Sequence, residues 1–168
     1  FETRGLRIVG AAEIAPHLLA ESGHIAGPAP TAQDLADVAL GVEAARAHGA
    51  RDLGQGVIVV DGAVVAREGR AGTDAMLAEH GANRRSDSPR QGILVKCPKP
   101  AQDLRLDMPA IGPGTIAAAA RAGLAGIAIE AGGTLIADRD DLVRRAGEAG
   151  VFVWGFAGRP RAEGEGTR

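Results

Sequence analysis

The residues that most constrain the fold are 55–69, with the sequence QGVIVVDGAVVAREG. Two β-branched runs flank Asp61-Gly62, and an Asp-Gly pair between such runs is a strong signal for a β-hairpin with a two-residue turn. A hairpin joins antiparallel neighbours. Elsewhere in the chain strand patterns alternate with helical ones, and that order is typical of a sheet with helices packed against it. Together the two signals predict a mixed β-sheet.

The other predicted elements fit the same architecture. Thr31 and Asp34 resemble a capping box, and the apolar spacing that follows predicts an amphipathic helix over residues 32–48. Shorter helices are predicted to end near Gly81, to begin at Thr115 and to cover the acidic run after residue 137. Strands are predicted at 6–10, in GILVK, on either side of Gly132-Gly133 and at 151–155. The sequence therefore predicts an α/β fold, a mixed β-sheet with packed helices in a single compact domain.

Composition excludes several classes of protein. The 168 residues carry a net charge of -2 and include three Phe, one Trp and no Tyr, so neither a basic field nor stacking platforms for nucleic acid are present. The single cysteine, Cys97, excludes an internal disulfide and is typical of a reducing compartment. No run of eighteen or more apolar residues indicates a membrane span. We therefore expect a cytoplasmic protein that binds no nucleic acid.

The segment LVKCPKPAQDLRLDMPAIGPGT, residues 94–115, concentrates charge and proline. Its prolines disfavour helix, so we expect an extended backbone after residue 96. In an extended chain, alternate side chains face opposite sides, which predicts Asp103, Arg105 and Asp107 on one face. The other face would carry Leu104 and Leu106.

This pattern is suited to phosphate chemistry. Carboxylates can hold Mg²⁺ beside a phosphate, and Arg105 can bind a phosphate with two hydrogen bonds. Lys96 and Lys99 would add positive charge, and the helix that begins after IGPGT would offer free amide groups. The alternative is a solvated edge strand that charges and prolines protect from pairing.

A second segment, EGRAGTDAM at residues 68–76, has glycines that permit close backbone approach to a ligand. Thr73 or Asp74 can cap the helix that follows, and the amide groups at the start of that helix can face a phosphate. The alternative is an ordinary strand-to-helix turn. Ligands commonly bind at strand-end loops of α/β sheets, so two such segments strengthen the prediction of a phosphate site.

These two segments, with AGLAGIAIEAGGTLIADRDDLV after them, resemble the C-terminal domain of the LpxI family, the UDP-2,3-diacylglucosamine pyrophosphatases of lipid A biosynthesis. The resemblance covers about 155 of the 168 residues. It implies hydrolysis of the pyrophosphate bond with Mg²⁺ or another divalent cation, through attack on the phosphorus nearer the sugar. The products would be 2,3-diacylglucosamine 1-phosphate and UMP.

The resemblance also implies roles for individual residues. Asp107 would be the essential acidic residue, and the metal would be bound by Asp107 with Asp74, or with Asp103 in place of Asp74. The substrate contacts would be Gly72, Thr73, Lys96, Lys99, Gln102, Asp103 and Arg105. One position departs from the family pattern, because Ala71 stands where a second acidic residue often precedes the Gly-Thr-Asp.

The resemblance implies an N-terminal Rossmann-like domain that we expect to lie outside the sequence given, so that this sequence would hold part of an active site and be weakly active or inactive alone. Residues 1–30 would be an initial strand and a linker to that N-terminal domain, 31–156 the catalytic domain and 157–168 a disordered tail. A lipid-linked UDP-sugar would be the substrate, and the acyl chains would lie on the face of Leu104, Leu106 and Met108. Peripheral contact with the inner membrane and homo-oligomer formation remain open. Two other functions also remain open, a non-catalytic module that binds a nucleotide-sugar or a phosphate ligand, and a dimerisation domain.

Overall fold

The computed structural model describes residues 5, 7–84, 89–100 and 102–158. Its strands, in chain order, are β1 (Gly23–Ala26), β2 (Gly56–Val60), β3 (Ala63–Arg67), β4 (Ile93–Lys96), β5 (Ala110–Ile111), β6 (Gly126–Glu130), β7 (Leu135–Ile136) and β8 (Phe152–Phe156). Its helices are α1 (Ala11–Ile14), α2 (Ala32–Gly49), α3 (Gly72–Ala82), α4 (Pro113–Arg121) and α5 (Arg139–Ala149), with a 3-10 turn at Pro16–Leu18. No helix in these ranges is both long and apolar enough to cross a membrane.

The main sheet is mixed and has the strand order β1-β8-β6-β4-β2-β3. β4, β6 and β8 are parallel to one another. β2 is antiparallel to both β3 and β4, and β1 is antiparallel to β8. The predicted α/β fold with a mixed sheet is therefore confirmed. β6 and β7 lie on either side of Gly132-Gly133 as predicted, but β7 pairs with β5 in a separate small sheet.

The hairpin forms where the Asp-Gly pair predicts it. Asp61 has φ 47° and Gly62 has φ 76°, so both residues adopt the left-handed conformation that a type I′ turn requires. The Gly62 amide donates a hydrogen bond of 2.9 Å to the buried Asp37 carboxylate on α2. The turn is thus fixed both by its own residues and by a contact with the longest helix.

The helix α2 begins at the predicted capping box. The Asp34 amide donates to the Thr31 hydroxyl at 3.1 Å, and the Thr31 amide donates to the Asp34 carboxylate at 2.8 Å. These two bonds satisfy amide groups that would otherwise lack partners at the start of the helix. The prediction of a helix over residues 32–48 is confirmed to within one residue.

Helices cover both faces of the main sheet. On one face α2 packs against β2, β3 and β4, and buried side chains on this face include Val57, Val59, Ile93, Val95 and Phe152. On the other face lie α3, α4 and α5, and buried side chains here include Ile58, Met76, Leu77, Leu94, Ile116, Ile127 and Leu142. Because side chains alternate along β4, Lys96 projects to the second face, with Leu94.

The amino-terminal residues differ from the prediction. No strand forms over residues 7–10, and the carbonyl of Gly10 instead accepts hydrogen bonds from Glu13 and Ile14, which begins the turn of α1. β1, in the part of the chain predicted to be initial strand and linker, pairs with β8 in the main sheet. Residues 159–168, most of the predicted tail, lie outside the described residues.

Two glycines within helices give a matched test of the packing. A β-carbon at Gly41 of α2 would lie 2.4 Å from Val95 Cγ2, whereas one at Gly147 of α5 would meet nothing within 4 Å. Gly147→Ala is expected to raise the free energy of unfolding by about 0.5–1 kcal/mol because alanine favours helix. Gly41→Ala is expected to lower it by about 1–3 kcal/mol through overpacking. Equal effects in urea denaturation would contradict the close approach of α2 to the sheet.

Candidate functional site

Several chain segments meet at the end of the main sheet where its parallel strands finish, and this end is called the edge of the sheet below. The parallel strands β4, β6 and β8 end there, and ligands of open α/β sheets commonly bind at the carboxyl ends of such strands. β2 begins at this edge and β3 ends there, since β2 is antiparallel to both of its neighbours. The edge therefore gathers the residues that follow β3 and β4, which are the two segments that the sequence predicts to bind phosphate.

Lys96 is the last residue of β4 and is only 6% exposed. It lies opposite Gly56 of β2, and a β-carbon at Gly56 would be 3.7 Å from Lys96 Cγ and 3.6 Å from Met76 Cε on α3. No described side chain forms a hydrogen bond or an ion pair with its ammonium group. Burial lowers the pKa of Lys96, and the charges of Glu68 and Asp74 act in the opposite direction. The lysine is a largely buried cation that can bind an anion.

Glu68 is a buried carboxylate beside this lysine, and it is not among the site residues predicted from the sequence. It follows β3 directly and is 8% exposed. Its amide donates to the Gly56 carbonyl at 2.9 Å, and its own carbonyl is 2.6 Å from His48 Nε2. The Thr73 hydroxyl donates to Glu68 Oε2 at 3.0 Å. Contacts from β2, α2 and α3 therefore hold Glu68 in place.

Residues 71–74 form the start of α3, where the structure corrects the predicted cap. Ala71 occupies the N-cap position and no side chain caps the helix. Thr73 lies within the first turn, and its hydroxyl bonds to Glu68 instead. Gly72 has φ +84°, which favours glycine and lets the loop enter the helix. Asp74 is exposed in the first turn, close enough to Lys96 for its charge to act on the lysine pKa.

The backbone at residues 103–107 is not extended as predicted. Residues 104–106 form a turn in which the amides of Leu106 and Asp107 both donate to the Asp103 carbonyl, at 2.9 and 3.0 Å. The Asp103 carboxylate accepts a hydrogen bond from the Arg105 amide at 3.0 Å, and such aspartate bonds to the backbone two residues on favour turns over strands. The prediction that Asp103, Arg105 and Asp107 share one face of an extended segment is therefore wrong.

Within this turn, Asp103 and Arg105 bind each other. The Arg105 guanidinium donates to Asp103 Oδ2 at 2.8 Å and lowers the pKa of that carboxyl. A β-carbon at Gly10 would lie 3.0 Å from Arg105 Cα, so the amino-terminal segment packs directly against the turn.

Lys99, Gln102 and Asp107 form the second part of the site. The Lys99 ammonium donates to Asp52 Oδ1 at 2.6 Å, a bond that raises the pKa of Lys99, and the charges of Asp107 and Glu68 add to this effect. The Gln102 side chain accepts from the Lys99 amide at 2.9 Å and donates to Asp107 Oδ2 at 2.5 Å. Gln102 thus connects the segment that carries Lys99 to the Asp107 carboxylate.

The structure therefore brings most of the predicted residues to one edge. Thr73 bonds to Glu68, the charges of Glu68 and Asp74 act on Lys96, and Gly72 begins the helix that carries Thr73 and Asp74. Hydrogen bonds of Gln102 link Lys99 and Asp107. The charge of Glu68 acts on both Lys96 and Lys99, which indicates that the two groups are neighbours. Asp103 and Arg105 are occupied with each other.

The carboxylates of this edge fit one manner of metal binding. Across residues 5, 7–84, 89–100 and 102–158, no three His, Cys, Asp or Glu side chains converge as a metal cage. Mg²⁺ is usually bound by one or two carboxylates, with water and substrate phosphate oxygens completing its octahedron. Asp74 and Asp107, both exposed at the edge, provide donors of that kind. Asp74 lies on α3 and Asp107 follows the turn at residues 104–106, so each would contribute one carboxylate to such a cation.

A cavity of about 770 Å³ adjoins the site between α3 and α4. Asp74 and Thr115 line it near the start of the two helices, and Gly81 and Ala122 line it near their ends. The start of α4, which the sequence predicts to bind an anion, therefore lies beside Asp74. The hydroxyl of Thr115 accepts from the Gly112 amide at 3.3 Å.

Comparison with known proteins gives two findings. The sequence-family model of the LpxI C-terminal domain matches residues 21–154 of this chain. A UDP-2,3-diacylglucosamine pyrophosphatase LpxI from Caulobacter vibrioides is 42% identical over 164 residues, which cover 92% of this chain and 57% of that protein. The chain thus spans somewhat more than half the length of this curated relative.

Proposed function

Because the chain belongs to the LpxI family, we propose that it is the C-terminal domain of an enzyme that hydrolyses the pyrophosphate bond of UDP-2,3-diacylglucosamine in lipid A biosynthesis. The observation that best supports this proposal is the meeting of Lys96, Lys99, Asp74 and Asp107 at one edge of the sheet. A pyrophosphate ester needs cations for its phosphate oxygens and a carboxylate near the attacked phosphorus, and this edge offers both.

In the proposed reaction, water attacks the phosphorus nearer the sugar and the bond to the bridging oxygen breaks. The water oxygen remains in 2,3-diacylglucosamine 1-phosphate, and the bridging oxygen leaves with UMP. Lys96 binds a phosphate oxygen from its buried position. Lys99 releases Asp52 and binds a second phosphate oxygen. Asp107, held by Gln102, orients the water or accepts its proton.

Asp74 and Asp107 would hold the divalent cation. When bound, the cation would supply Lewis-acid polarisation of the phosphate oxygens. The chain's own residues keep their separate tasks, since Lys96 and Lys99 contact phosphate and Gln102 fixes the Asp107 carboxylate.

The acyl chains need an apolar surface close to the phosphates. Leu106 is 69% exposed, immediately before Asp107, and Leu104 and Met108 are half-buried on the same turn. We propose that this turn contacts the sugar-proximal part of the acyl chains. Leu106→Asp is expected to raise KM for the diacyl substrate by about tenfold, through the lost burial of one leucine side chain. An unchanged KM would contradict the contact.

Removal of metal tests the proposed chemistry in the full-length protein. Chelation by EDTA is expected to abolish UMP release, and added Mg²⁺ is expected to restore it. A non-catalytic binding module would instead retain the nucleotide-sugar intact at any metal concentration. UMP and intact substrate should be quantified by chromatography, with a heat-denatured sample as the control. Full UMP release in EDTA would contradict metal dependence while leaving hydrolysis itself supported.

A further inference from the structure

The proposed hydrolysis leaves one buried carboxylate at this edge of the sheet, Glu68, without a role. Glu68 is 8% exposed, although a buried carboxylate is costly unless it is hydrogen-bonded or paired. Its backbone is fixed on both sides, by the Gly56 carbonyl and by His48. Its negative charge acts on Lys96 and offsets part of the cost of burying that ammonium group.

The glycines around Glu68 show how closely its surroundings fit it. A β-carbon at Gly54 would lie 2.4 Å from the Glu68 carbonyl oxygen, and one at Gly56 would lie 2.8 Å from Glu68 Oε2. The hypothetical β-carbon at Gly56 would also lie 3.7 Å from Lys96 Cγ. The carboxylate and the lysine stem therefore lie over the same glycine.

The bond to Thr73 adds a further constraint. The Thr73 hydroxyl donates its proton to Glu68 at 3.0 Å, so only its oxygen lone pairs remain free to interact with a ligand. While this bond persists, Thr73 can accept a hydrogen bond or ligate a cation, but it cannot donate to a phosphate. Glu68 thus determines what Thr73 offers at the start of α3.

We propose that Glu68 is a positioning residue of the hydrolytic site, where its carboxylate orients the Thr73 hydroxyl and its charge holds the Lys96 ammonium group toward the bound phosphate. This inference rests on the proposed function. In this role Glu68 does not contact the substrate, because it acts on the phosphate only through Lys96 and Thr73.

Two substitutions separate the two tasks in the full-length protein. Glu68→Gln removes the charge and keeps an oxygen that can accept from Thr73. Glu68→Asp keeps the charge and withdraws the carboxylate from Thr73. Glu68→Gln is expected to lower kcat/KM about tenfold, in the range of coupling between contacting residues, and Glu68→Asp is expected to recover part of that loss. Glu79→Gln, at an exposed position later on α3, is the matched control and should leave kcat/KM unchanged.

A double-mutant cycle with Lys96→Met tests whether Glu68 acts through Lys96. If Glu68 acts through Lys96, Glu68→Gln should change kcat/KM less than twofold in the Lys96→Met background. A loss by the same factor in both backgrounds, with equal losses of thermal stability, would show that Glu68 is merely structural and would overturn the proposal.

Binding of inorganic pyrophosphate, measured by calorimetry on the same four proteins, provides a readout that does not depend on turnover. Coupling between Glu68 and Lys96 in the affinity for pyrophosphate would support the positioning role. If the wild type nevertheless released no UMP, only the proposed function would be refuted. Pyrophosphate binding without coupling would overturn the positioning role. Absence of pyrophosphate binding by the wild type would contradict both.

Discussion

Asp107→Ala in the full-length protein is expected to lower kcat for UMP release by about 100- to 10,000-fold, the usual contribution of a residue that transfers or orients a proton. The Asp107 carboxylate is exposed at the site edge and is held by Gln102 at 2.5 Å. Asp107→Asn keeps the size of the side chain and its hydrogen-bonding capacity but removes the charge. Both variants are therefore expected to lose turnover and to retain affinity for the substrate.

The control for this experiment is Asp140→Ala, at an exposed position in the first turn of α5. It should retain the wild-type kcat. Activity above one tenth of the wild-type value in Asp107→Ala would show that Asp107 is not the essential carboxylate. In that case Asp74, the other exposed carboxylate assigned to the metal, would be the next residue to replace.

Lys96→Met is expected to separate activity from stability. Lys96 is 6% exposed and has no described hydrogen-bond partner, so its charge is costly to bury. Methionine fills a similar volume without that cost but leaves the buried Glu68 carboxylate without its neighbouring cation, so the two effects oppose each other and we expect little change in melting temperature. Loss of a charge-assisted bond to phosphate is expected to lower kcat/KM about 10- to 100-fold.

Arg67→Met is the matched control, because Arg67 is an exposed cation at the end of β3 and pairs with Val57 in the sheet. It should change neither quantity appreciably. A Lys96→Met protein with wild-type kcat/KM would exclude Lys96 from phosphate binding. A large fall in melting temperature would instead indicate that Lys96 stabilises the edge of the sheet through Glu68.

The elements that the sequence predicted correctly carry their signals locally. Asp61 and Gly62 adopt left-handed φ values that their residue types favour, and Thr31 with Asp34 completes a capping box within four residues. Both features are fixed by neighbours in the chain. Sequence reasoning could therefore place the hairpin and α2 without knowledge of the tertiary structure.

The turn at residues 103–107 was missed for a different reason. Proline content indicated an extended backbone, and alternation of side chains applies only to such a backbone. The Asp103 carboxylate instead accepts hydrogen bonds from the Arg105 amide and guanidinium, and these bonds stabilise a turn. The Asp-x-Arg spacing could have indicated this turn, since aspartate often bonds to the backbone two residues further on.

The role of Glu68 could not be predicted from its neighbours in sequence. Its burial depends on Gly54 and Gly56, which leave room for it, and on His48, which binds its carbonyl. These residues come from α2, from the loop before β2 and from the first position of β2, and only the folded sheet brings them beside β3. β1 was missed for a similar reason, because it has its partner in β8, near the other end of the described chain.

Hydrolysis of UDP-2,3-diacylglucosamine by the full-length protein in ¹⁸O-labelled water, with Mg²⁺ present, tests the central claim most directly. Mass spectrometry should find UMP and 2,3-diacylglucosamine 1-phosphate in equal amounts, with the label in the sugar phosphate and none in UMP. Recovery of the substrate bound but intact, with no UMP formed, would contradict the claim that this edge of the sheet belongs to a pyrophosphate hydrolase.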